Sequence, residues 1–239
     1  MATMTLSPYR IRKKSDENPG TSEQIVTNTE GKGIILEIHF QAGKHHNHPL
    51  MAIWIEDTAG NYLQSLYVAQ SIAKGYFAYG DKTSGRWLPG EIRRPAALPY
   101  WAHKRGLQAE DGLYIPSSKN PLPDAYSGAT PKADFILTTK TDNIPNTQFI
   151  RVLMEINQTW DWNEYWTNNK YPDNDEYKTS SQPAIVYAAT IDINVKDKEY
   201  ELIPIGHSHY SGDTGELFPN LSTLTTALHI AKSIRVKVK

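Results

Sequence analysis

Ile34, Leu36, Ile38 and Phe40 fall on every second residue, with Glu37 and His39 between them. The same period of two returns at the far end of the chain, where Ile234, Val236 and Val238 alternate with Arg235, Lys237 and Lys239. Side chains of a strand point to opposite faces in turn, so both stretches need one dry face and one wet face. A helix would scatter the same residues around its circumference. The chain therefore has to build a sheet with something packed on one side.

Further strands follow from the same pattern. Leu50–Glu56 sets Met51, Ile53 and Ile55 against Ala52, Trp54 and Glu56, and Tyr62–Ala69 returns after the turn residues Asp57–Asn61. These two read as a hairpin. Ala133–Thr139 and Gln148–Asn157 are strands, the latter with Ile150, Val152, Met154 and Ile156 on one face. Pro183–Asn194 is another, and Glu199–Ile205 is expected to pair with it across Val195–Lys198. Short helices fit near residues 71–79, within 91–106 and within 221–232, separated by loops rich in Gly, Pro and aromatic residues. About eight strands with little helix predict an all-β fold: a mainly antiparallel β-sandwich with long loops and one or two short helices. Residues 31–239 read as a single domain. Residues 1–30 read as a loosely ordered tail with room for one early edge strand.

Composition closes off several functions. The chain has 25 Lys and Arg against 26 Asp and Glu, so charge provides no handle for nucleic acid. No apolar run reaches membrane-spanning length, so no direct membrane insertion is expected. With 0 Cys, disulfides, thiolate metal sites and cysteine nucleophiles are excluded. Met1 to Arg12 contains no apolar segment of the secretory kind. That fits either a cytosolic protein or one whose export signal has been removed. No Gly-x-Ser-x-Gly elbow, His-Glu-x-x-His or phosphate-cradling Gly-x-x-x-x-Gly-Lys occurs, so a stand-alone enzyme is not the expectation.

The stretch with the most chemistry is Asp124-Ala125-Tyr126-Ser127-Gly128-Ala129-Thr130. Its residues are small, Gly128 frees the backbone, Pro131 fixes it, and Ser127 and Thr130 offer hydroxyls. Asp-x-x-Ser-Gly-Ala-Thr resembles the signature at which a flavin transferase attaches FMN to FMN-binding domains of bacterial electron-transfer proteins. That resemblance implies Thr130 as the acceptor of a phosphoester-linked FMN, with Asp124, Ser127, Gly128 and Ala129 as the recognition loop. Pro131 departs from the hydroxyl-rich continuation of that family. A structural turn is the alternative reading of the same residues.

A wider set of segments is similar to a family of predicted periplasmic bacterial proteins of unknown function. These are Ala52–Asp57 with Gly60; Arg93-Arg94-Pro95 with Leu98, Pro99, Trp101 and His103; Asp124–Lys132; and Glu155–Asn157 with Trp160–Asn163. The resemblance implies a periplasmic or cell-envelope location, a β-rich fold, and neighbours such as flavin transferases and membrane redox proteins. It implies no activity.

Two other constellations remain open. His45, His46 and His48 form a dense imidazole cluster, and His207 and His209 lie two apart in a later segment, so both are candidates for a metal. Trp160, Trp162, Tyr165 and Trp166 make an aromatic loop able to stack on a glycan or meet a partner protein. The leading expectation is an extracytoplasmic accessory or electron-carrier protein with FMN on Thr130. The alternatives are a cofactor-free binding module using the aromatic loop, or a metal-binding protein using the histidines.

Overall fold

A computed structural model describes residues 22–144 and 147–239. Most of the expected tail therefore lies outside the described residues. Its last part contributes β1 (Glu23–Thr27), an edge strand.

In chain order the strands continue as β2 (Ile35–Ala42), β3 (Leu50–Glu56), β4 (Tyr62–Ala69), β5 (Tyr76–Asp81), β6 (Leu88–Glu91), β7 (Ser127–Gly128), β8 (Phe135–Lys140), β9 (Phe149–Asn157), β10 (Ile185–Asp192), β11 (Tyr200–Glu201), β12 (Ile203–His207) and β13 (Ala231–Val238). Three short helices interrupt them: α1 (Gln70–Lys74), α2 (Pro99–Arg105) and α3 (Asp175–Ser180). One sheet runs β1-β8-β2-β13-β11 and the other β12-β10-β9-β3-β4-β7, while β5 and β6 form a separate ribbon. Pairing is antiparallel except for β1 with β8 and β4 with β7. The mainly antiparallel, β-rich architecture is thus as expected.

The alternating residues meet between the two sheets. Leu36, Ile38, Phe40, Ile234, Val236 and Val238 from one face Met51, Ile53, Ile55, Val152, Met154 and Ile185 from the other. Glu37 and Lys237 remain on the outer face, paired at 2.9 Å.

The second sheet is covered on its other side as well. Ala52, Trp54, Leu153 and Val186 pack under Leu98, Trp101, Ile115 and Leu122, which belong to α2 and the loops around it. Every residue of β3 is therefore buried. The alternation in Leu50–Glu56 separates two different cores, not core from solvent. Glu56, the expected wet residue, is fully buried and held by Arg151 at 2.9 Å and Trp54 Nε1 at 3.0 Å.

Glu199–Ile205 differs from the single strand expected. The chain changes sheets at Leu202: β11 pairs with β13, whereas β12 pairs with β10. The Leu202 N–H still donates to Ile234 O at 2.9 Å, so the crossing is made without abandoning the first sheet abruptly. In the 221–232 segment there is only a 3-10 turn, Thr226–His229, before β13 begins.

Candidate functional site

The Asp124–Thr130 loop is built onto β4. A 3-10 turn, Asp124–Tyr126, is followed by two extended residues, Ser127 and Gly128, which pair with Val68 and Ala69. The Tyr67 hydroxyl donates to Ala129 O at 2.6 Å and lies 3.2 Å from Gly128 O. A Cβ on Gly128 would come 2.9 Å from Tyr67 Cε2, so glycine is needed for this close approach. Asp124 forms an ion pair with Lys74 of α1, and the Leu122 N–H donates to Ala73 O at 2.8 Å. Tyr126 donates to Asp142 at 2.7 Å. Pro131 is buried just beyond. The loop is thus fixed on both sides while Ala129 stays exposed and Thr130 half-buried.

Thr130 borders an open cleft of about 510 Å³, lined also by Gln70, Ser71, Lys74, Tyr76 and Ala129. A hydroxyl, an ammonium group and a 48% exposed tyrosine ring meet there. A phosphoester-linked flavin asks for an accessible acceptor, a cation for the phosphate and a flat apolar partner for the ring. The residues present fit those needs. Asp124 holds the Lys74 ammonium, and Gly128 allows the loop to lie flat against Tyr67.

The four aromatic residues of the 160–166 loop separate. Trp166 is buried, and its Nε1–H donates to Thr223 Oγ1 at 3.2 Å. Trp162 packs half-buried against the core between the sheets. Tyr165 is exposed, with Lys170 Nζ 3.1 Å from its ring centroid. Trp160, in a left-handed backbone conformation, points outward with 64% exposure. It lines a groove of about 920 Å³ between the β5–β6 ribbon and α3, together with Phe77, Tyr79 and Trp87. The buried members of the loop are structural. Of the two exposed members, Trp160 joins rings from a ribbon that strand patterning does not reveal, whereas Tyr165 lies outside the groove.

The histidines also divide. His45 lies beside His229, with ring centroids 6.1 Å apart. His46 packs against Phe40 at 5.7 Å; burial, then the neighbouring His48, hold its pKa below the usual imidazole range. His48 is exposed on the rim of the aromatic groove. His207 stacks on Phe218, and its Nδ1 is 2.8 Å from Ser208 O. His209 Nδ1 is 2.8 Å from the Ser211 hydroxyl. Among the described residues no three His, Asp or Glu side chains gather into a metal-binding group. Near the groove α3 is capped at its start, where Asn174 Oδ1 accepts the Tyr177 N–H at 2.8 Å.

Lys74, Tyr67 and Tyr76 escaped sequence reasoning, because their relation to Thr130 exists only once β4 and α1 are folded. No family model, curated protein or solved structure matches the chain.

Proposed function

We propose that the protein is a flavin carrier, with FMN joined through its phosphate to Oγ1 of Thr130. The observation that supports this most is the cleft where Thr130, Lys74 and Tyr76 meet. When bound, FMN supplies the electron chemistry, and the chain supplies attachment, orientation and tuning.

Attachment uses the Thr130 hydroxyl as the nucleophile. Its Oγ1 takes the flavin-bearing phosphorus from an activated flavin nucleotide. One P–O bond forms, the P–O bond to the departing nucleotide breaks, and the hydroxyl proton leaves to the transferase or water. Lys74 offsets phosphate charge, and Asp124 keeps that ammonium at the rim of the cleft. The extracytoplasmic setting and the redox partners belong to the same proposal through the resemblance of the wider set of segments to periplasmic proteins.

Co-expression with a flavin transferase tests it. Wild type is expected to gain flavin absorbance and an intact mass increased by one esterified FMN. Thr130→Ala is expected to fold with unchanged thermal unfolding and remain colourless and unmodified. Yellow, covalently modified Thr130→Ala protein would overturn the assignment.

A further inference from the structure

The aromatic groove is separate in chemistry from the Thr130 cleft, although Ser71 borders both. Tyr79, Trp87 and Trp160 are 67%, 53% and 64% exposed around it. Large apolar rings left in water on one continuous concave surface mark a binding surface more than a folding requirement. Tryptophan and tyrosine join a flat apolar face to a polar edge, which suits the C–H face of a sugar ring flanked by hydroxyls.

Two consecutive arginines on this wall behave differently. Arg93 is occupied: it pairs with Asp111 and donates to Ile115 O at 2.6 Å and Leu113 O at 3.2 Å. Arg94 stacks its guanidinium 4.6 Å above the centroid of Phe77; its buried Nε, like that of Arg93, has no hydrogen-bond partner, but unlike Arg93 its terminal nitrogens are also without one. Among the described residues Arg94 has neither an ion pair nor a side-chain hydrogen bond. Burial lowers its pKa from the usual arginine value, and the Glu176 carboxylate, which also lines the groove, acts against this. Asp175 is taken up by Lys178 at 3.2 Å. Among the described residues, the groove's charges without an ion pair are therefore Arg94 and Lys82 against Glu176. This balance is cationic, and its partly desolvated guanidinium suits a carboxylate or sulfate oxygen pair.

We propose that this groove binds an acidic saccharide, with a ring stacked on Trp160 and Trp87 and its carboxylate or sulfate paired with Arg94. The inference stands independently of the flavin, since no residue of the Thr130 phosphate site takes part. Arg94 supplies selectivity for charge, and the tryptophans supply affinity for the ring.

Calorimetric titration of the full chain tests this with oligogalacturonate, a hyaluronan fragment and a sulfated heparan fragment, each against a neutral counterpart with its carboxylates methyl-esterified and, for heparan, its sulfates also removed and its amines acetylated. At least one acidic oligomer is expected to bind about tenfold or more tightly than its neutral form, with affinity falling as salt rises. Arg94→Gln is expected to erase that preference, and Trp160→Ala to weaken acidic and neutral forms alike. Glu176→Gln, which removes the carboxylate competing for the Arg94 guanidinium, is expected to tighten the acidic ligand. Equal affinity for acidic and neutral forms, or a preference that survives Arg94→Gln, would overturn the role of Arg94. Failure of every oligomer to bind would overturn the groove as a saccharide site.

Discussion

Glu155 is a carboxylate with no access to solvent, and its position is explained by the helix it faces. Its two oxygens accept the N–H groups of Tyr100 at 3.2 Å and Trp101 at 2.7 Å. These are among the first amides of α2, which has no side-chain cap of its own. Burial pushes the Glu155 pKa up to about 7, and the amide bonds counteract only part of that. The sign follows directly. A folded-state pKa above the unfolded value makes the folded protein the better proton binder, so this contribution is present at low pH and lost as pH rises toward 7. The stability of wild type relative to Glu155→Gln is therefore expected to fall between about pH 4.5 and pH 7, by at most roughly 3 kcal/mol. Urea denaturation of both proteins across that range checks it; a flat difference would contradict a buried, titrating Glu155. Gly128 makes a second test at this scale. Tyr67 is fully buried and cannot withdraw from an added methyl group. Gly128→Ala is expected to cost about 1–3 kcal/mol in the same measurement. It should also slow modification of Thr130 by moving the loop off β4.

The elements show which parts of the fold were legible in advance. Strands β2 and β13 were, because one face is dry and the other carries Glu37, Lys237 and Lys239. The β5–β6 ribbon was not. Its residues are largely exposed, its register is broken between Phe77 and Asp81, and Gly80 and Gly90 approach each other where side chains would clash. No buried face imposed an alternation there. A two-stranded ribbon without a core of its own is marginal. Amide exchange over residues 76–91 is therefore expected to be faster than in β3 and β9, on the order of a hundredfold or more. Equal protection would mean that the ribbon is more firmly packed than its exposure implies. The burial of Glu56 was also hidden, because its partner Arg151 lies 95 residues away in sequence. Likewise nothing local distinguishes the buried Trp166 from the exposed Trp160.

The whole molecule is a sandwich with a third layer. The outer sheet and the central sheet enclose one core, and the central sheet with α1, α2 and their loops encloses another. That third layer is where the fold departs from a plain sandwich, and it carries both proposed sites. The Thr130 cleft lies at the junction of α1 with the Asp124–Thr130 loop, and the aromatic groove lies between the ribbon and α3. The Asp-x-x-Ser-Gly-Ala-Thr order was visible in the sequence; the ammonium and the ring that accompany it were not, since folding alone brings Lys74 and Tyr76 to Thr130. Peptide mapping by mass spectrometry, after co-expression with a flavin transferase, tests the flavin proposal most directly. Trypsin releases Asn120–Lys132, which contains the whole loop. The expected result is one esterified FMN on that peptide, with fragment ions assigning it to Thr130. An unmodified peptide, or flavin assigned to another residue, would contradict a role for Thr130 as the carrier.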